Sequence, residues 1–115
     1  MQYTEPQPRT RAELAADLSS GDGRTIATAL TSAALYDADR EYVEGLIVQF
    51  LQHSDPWVRG VSAICAGHIA RIHQALSTDK IVPLIETLLA DPQTTGKAQD
   101  ALDDIRMFLG GARYT

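Results

Sequence analysis

Cysteine is almost missing from this sequence: Cys65 stands alone among 115 residues. One thiol closes no intramolecular disulfide, and no second cysteine joins it in a metal site. Aromatic residues make up only 6% of the chain, so the 44% hydrophobic content rests on Ala, Leu, Ile and Val. Such small side chains suit closely packed helices. No apolar run approaches the roughly 20 residues that cross a bilayer. The opening stretch Met1-Gln2-Tyr3-Thr4-Glu5-Pro6-Gln7-Pro8 has no charged-then-apolar secretion signal, so a cytoplasmic protein is expected. Basic residues are scarce too, 10 against 15 acidic, for a formal charge of -5. A general nucleic-acid binder needs the opposite balance for its phosphate contacts. An acidic chain is better matched to a basic protein partner.

What the chain does have is a period. Two Asp-Pro steps, Asp55-Pro56 and Asp91-Pro92, stand 36 residues apart. After the first, Ser62, Cys65, Ala66, Ile69 and Ile72 fall at core spacing; 36 residues on come Ala98, Ala101, Leu102, Ile105 and Phe108. A fixed period of this length with helical patterning inside it means stacked helix pairs. No segment alternates with period two, so the expectation is an all-α chain.

Six helices follow. Thr10 and Glu13 have the spacing of a capping box, and the first helix is predicted over 11–19, with Leu14, Ala15 and Leu18 on its buried face. Gly21-Asp22-Gly23 breaks it. The second helix buries Ile26, Ala29, Leu30 and Ala33. Asp37 or Asp39 caps the third, whose apolar positions are Tyr42, Val43, Leu46, Ile47, Phe50 and Leu51. Ser54 or Asp55 caps the fourth, Pro56 fits its first turn, and it reaches about Ala75. Ser77-Thr78-Asp79 restarts the chain into a fifth helix carrying Ile81, Leu84, Ile85, Leu88 and Leu89, with Pro83 near its start. Asp91-Pro92 opens the sixth, which stops at Gly110-Gly111 in a left-handed cap. Residues 1–9 read as an extended leader, 10–111 as one domain and 112–115 as a tail. The first pair matches the second only at an offset of 33, as terminal repeats do.

The run Leu51-Gln52-His53-Ser54-Asp55-Pro56-Trp57-Val58-Arg59-Gly60-Val61-Ser62-Ala63-Ile64 resembles the signature of HEAT repeats, with Asp-Pro and Val-Arg at the start of a second helix. Val82-Pro83-Leu84 resembles that family's first helix, while residues 92–97 lack the Val-Arg pair and carry Thr94 and Thr95. The resemblance implies a short right-handed α-solenoid of three helix pairs, with Arg59 bridging its own or the next turn. It also implies a scaffold or adaptor; some very short members resemble bacterial immunity proteins that neutralise a toxin, others the bilin-lyase enzymes. The motif specifies shape and carries no chemistry.

Candidate residues lie on the outward face of the fourth helix. Trp57, Ile64, His68 and Arg71 recur at spacings of seven, four and three, forming one stripe. Shifted by 36, the sixth helix offers Gln93, Asp100, Asp104 and Met107; shifted back by 33, the second offers Arg24, Thr31, Leu35 and Ala38. Stacked in register, these rows form a patch of exposed apolar and charged residues, the composition of a protein-binding surface. The ordinary alternative packs Trp57 over a neighbouring turn and places Ile64 in the core. Asp100, Asp103 and Asp104 form the densest charge cluster. They are suited to a basic toxin cleft, or else form a solvated face with Asp104 paired to His68 or Arg71.

No chemistry competes with binding. Cys65 lies on the buried stripe and His68 projects elsewhere, so no nucleophile–base pair forms. His68 and His73 are five apart, the wrong spacing for zinc on a helix. Neither a glycine-rich phosphate loop nor a serine elbow is present. The expectation is a non-enzymatic protein without cofactor or metal, monomeric or weakly self-associating, that binds a protein partner through Leu35, Trp57, Ile64, His68, Arg71, Asp100, Asp103, Asp104 and Met107. An immunity protein against a basic toxin domain is the sharpest form of that expectation; an adaptor subunit is the alternative.

Overall fold

Aspartate starts three consecutive helices. The computed structural model describes residues 6–110. There Asp22 accepts from the Thr25 N–H at 3.0 Å, Asp39 from Tyr42 at 3.2 Å, and Asp55 from Trp57 at 2.8 Å. Each satisfies an orphan donor of a first turn and stabilises the helix by about 1 kcal/mol. The resulting elements are α1 (Arg11–Leu18), α2 (Gly23–Tyr36), α3 (Arg40–Phe50), α4 (Pro56–His73), α5 (Thr78–Thr87), a 3-10 turn (Leu88–Ala90) and α6 (Thr95–Leu109). Among the described residues there is no strand, and the fold is all-α. Ahead of α1, the capping box is complete: Thr10 accepts from the Glu13 N–H, and the Glu13 carboxylate accepts from the Thr10 N–H.

Helices α2, α4 and α6 lie side by side with α4 in the middle, while α1, α3 and α5 pack behind them, each on its own successor. Half of α4 is buried, mostly through Gly60, Ala63, Ala66, Gly67 and Ala70, whose small side chains let neighbours approach closely. Ile26, Leu30, Val43, Ile47, Val58, Ile69, Ile81, Ile85 and Ile105 fill the space between the rows. Aliphatic residues carry this core because so few aromatics exist to do it.

Polar ties hold the loops. Arg59 of α4 donates to the carbonyls of His53 and Ser54 in its own turn and reaches Asp91 in the next at 3.0 Å. Both bridging options open in the sequence are therefore used. Glu44, buried in α3, accepts from Arg40 at 2.7 Å and from the Ser77 N–H at 3.2 Å, so α3 ties down the residue that starts α5, while Ser77's own side chain caps no amide. Arg11 lies 3.6 Å over the Tyr42 ring and pairs with Asp37, whose carboxyl it holds below its ordinary value.

Several expectations shift. Ala15 is exposed, because an eight-residue α1 touches its neighbour along a line too narrow for a third residue. Ile72 is 41% exposed; the last core-side position of α4 falls to His73, one residue on, as a 3.6-residue turn requires. Helix α4 ends at His73 with Gln74 in the left-handed conformation (φ 55°, ψ 29°). Asp91-Pro92 opens a turn and α6 starts only at Thr95. The hydroxyls of Thr94 and Thr95 donate to the carbonyls of Leu88, Leu89 and Asp91, using up the segment where a further helical turn was expected. Gly110 does adopt positive φ (81°), but ψ of 134° extends the chain instead of closing a left-handed cap. Residues 1–5 of the leader, Gly111 and the tail 112–115 lie outside the described residues.

Candidate functional site

Close approaches between helices set which side chains share a face. A Cβ placed on Gly60 would come within 2.7 Å of Lys97 Cδ, and one on Gly67 within 3.2 Å of the Asp104 carboxylate. On the other flank, Thr31 Oγ1 stands 4.0 Å from Cys65 Sγ. Helices α4 and α6 therefore pair at a separation of 37 residues, and α2 and α4 at 34. These are facing pairs and leave the repeat offset intact: Ser62, Cys65 and Ile69 and their counterparts 36 residues on, Ala98, Ala101 and Ile105, are all fully buried, as the Asp-Pro period requires.

At about 100° per residue, Trp57, Ile64, His68 and Arg71 fall within an arc of about 60° on α4. That arc lies between the side facing α6 (Gly60, Gly67) and the side facing α2 (Cys65). On α6, Asp100, Asp104 and Met107 occupy the outward edge next to it; on α2, Thr31 and Leu35 do the same from the opposite flank. Trp57 is 53% exposed and Met107 70%; Arg71 and Asp100 are exposed, while Leu35, Ile64, His68 and Asp104 are half-buried. Ile64 is thus neither core nor free. Asp103 stands about 40° beyond Met107 and pairs with Arg106 at 3.6 Å, at the rim of this face.

The charges here are organised. Burial pulls His68 below its ordinary value, Arg71 adds to that and Asp104 opposes it, so the imidazole is neutral at pH 7. Arg71 Nη2 lies 3.5 Å from His68 Nδ1. Cys65, fully buried behind the face, has its thiol pushed up to about 12, which leaves no thiolate for chemistry. Lys97 was missed from sequence. Its ammonium sits 4.3 Å over the Trp57 ring. The signal was available in Gly60 and Gly67, seven apart on one face of α4 and marking the contact line to α6.

No protein-family model and no curated protein matches the chain. A solved structure does: a chain in the crystal structure of a CDI complex from Cupriavidus taiwanensis LMG 19424 superposes with a TM-score of 0.80 at 31% identity, over 94% of this chain and 97% of that one. This chain belongs to the family of that CDI-complex component.

The match covers nearly the whole length of both chains, so the stacked helices are common to the two. In this family member two clefts lie away from that face. One of about 210 Å³ is lined by Pro8, Leu14, Ser32 and Tyr36; another of about 300 Å³ sits beside Arg40 and the loop before α5. Both are at or below the small end of ligand pockets. Among the described residues no three His, Cys, Asp or Glu side chains converge to hold a metal ion, and no helix is long and apolar enough to cross a membrane.

Proposed function

We propose that this chain is the immunity partner of a contact-dependent inhibition toxin: it binds the toxin domain in the cytoplasm and blocks it without chemistry of its own. The observation that carries this reading is the match, along almost the full chain, to a component of a CDI complex. The outward face supports it. Leu35, Trp57, Ile64 and Met107 supply apolar anchors, while His68, Arg71, Asp100 and Asp104 supply a polar surround, with Asp103 at the rim. Exposed tryptophan and arginine on one face are residue types enriched in energetic hot spots. The thiol of Cys65 is sealed behind the face and takes no part.

Co-expression tests the proposal. Cells making the toxin domain encoded immediately upstream should grow when this chain is present and stop without it. Asp100→Lys combined with Asp104→Lys should weaken the complex at least tenfold in titration calorimetry and leave the helical circular dichroism unchanged. No growth rescue and no complex on gel filtration would reject the immunity role; unchanged affinity of the double variant would move the interface elsewhere.

A further inference from the structure

The proposed recognition face carries a cation that the chain's overall acidity does not announce. Lys97 is held at both ends. Its stem lies along α4 in the notch left by Gly60, where a Cβ would stand 2.7 Å from Lys97 Cδ and 3.6 Å from its Cβ. Its ammonium rests 4.3 Å from the centroid of the Trp57 ring, which is itself exposed. Cation–π contact and a lined stem reduce the freedom that a lysine would otherwise surrender on binding.

Seven residues along α6, Asp104 is seated the same way. It packs into the Gly67 notch, with its Cβ 3.3 Å and carboxylate oxygen 3.2 Å from where a Gly67 Cβ would be. Two glycines of α4 thus hold one cation and one carboxylate about 10 Å apart along α6. Asp100 stands between them on the outward edge, and Arg71, exposed on α4, adds a second cation that acts on the same imidazole, His68, as Asp104 does. Read along the groove, the sign runs positive, negative, positive.

We propose that Lys97, seated by Gly60 and Trp57, is a specificity-determining residue of this face, and that the toxin segment covering it is amphoteric: a carboxylate opposite Lys97 and a basic side chain opposite Asp100 and Asp104. This inference rests on the immunity reading and sharpens its partner. A uniformly basic toxin surface would bring like charges onto Lys97 and Arg71, an arrangement that interfaces use to exclude wrong partners. An alternating surface meets Lys97, Asp100 and Asp104 each with its opposite.

The test is calorimetry of this chain against the domain encoded immediately upstream. Lys97→Glu should lose at least tenfold in affinity while keeping its circular dichroism. Tighter or equal binding by Lys97→Glu would overturn the proposal, since a uniformly basic partner would welcome the new carboxylate. Gly60→Ala should bind several-fold more weakly with no drop in melting temperature, because alanine favours the helix while its methyl displaces the lysine stem. Equal affinity for Gly60→Ala would overturn the seating. Gly96→Ala, whose added Cβ meets nothing within 4 Å, serves as the control and should bind as the parent does. A parent chain that dimerises on its own, with Lys97→Glu dissolving the dimer, would assign the face to a second copy and overturn the toxin assignment. If the parent binds no upstream domain, the immunity reading itself fails, an outcome distinct from all of these.

Discussion

His68 shows how one side chain couples stability to acidity. Its folded-state value lies below the ordinary 6.5, first through burial and then through Arg71. As pH falls through about 6.5, the unfolded chain takes up a proton that the folded chain refuses, so stability declines. The carboxylates of Glu13, Asp22 and Asp37 are also held below their ordinary values, by capping hydrogen bonds or by Arg11; their contribution is lost only at much lower pH. Urea titrations at pH 7.5 and 5.5 should therefore show a loss in the parent chain that His68→Gln largely removes; an equal loss in the variant would exonerate the imidazole. At this scale the sequence was readable where helical phase alone decides, as for Cys65 and Trp57. It was not readable for Lys97, whose partner Trp57 stands 40 residues away and is reached only through the exact stagger of two helices.

Helix starts were the most legible elements, because an aspartate and the amide it caps lie two or three residues apart and need nothing from the rest of the fold. Helix α5 is the exception. Ser77 offers its own hydroxyl to no amide there, and its N–H is instead held by Glu44, 33 residues earlier. No local pattern announces such a long-range tie. The start of α6 was misplaced for a related reason, since Asp91 and Pro92 repeat the earlier motif while Thr94 and Thr95 tie the following residues into a turn. Glycines inside helices divide by what faces them. Gly45 of α3 faces open space, so Gly45→Ala should stabilise by about 0.5–1 kcal/mol in chemical denaturation. Gly23, whose Cβ would collide with the Asp55 carboxylate, should give no such gain.

The three helix pairs form a body with a Cα radius of gyration of 13.3 Å, the value of about 13 Å expected for a compact domain of this length. Helix α4 touches both of its layer neighbours as well as α3, so the pairs should melt together rather than one by one. Arg59 links two of the turns and leaves three acceptors unserved when removed. Arg59→Ala should cost about 1–3 kcal/mol. It should lower the midpoints of circular dichroism and of Cys65 labelling by a thiol reagent equally; separate midpoints would mean that the stack frays from one end. Side-by-side packing of the second helices was legible from the 36-residue period, whereas the facing pairs Gly60–Lys97 and Gly67–Asp104 were not, since a period fixes equivalent positions and not which residues meet across a groove. One practical consequence belongs to the lysine resting on the indole. Trp57 is the chain's single tryptophan, and a cation parked on its π-face biases its emission. Any visitor that draws the ammonium away will change that light, so the molecule carries its own label-free optical sensor of occupancy.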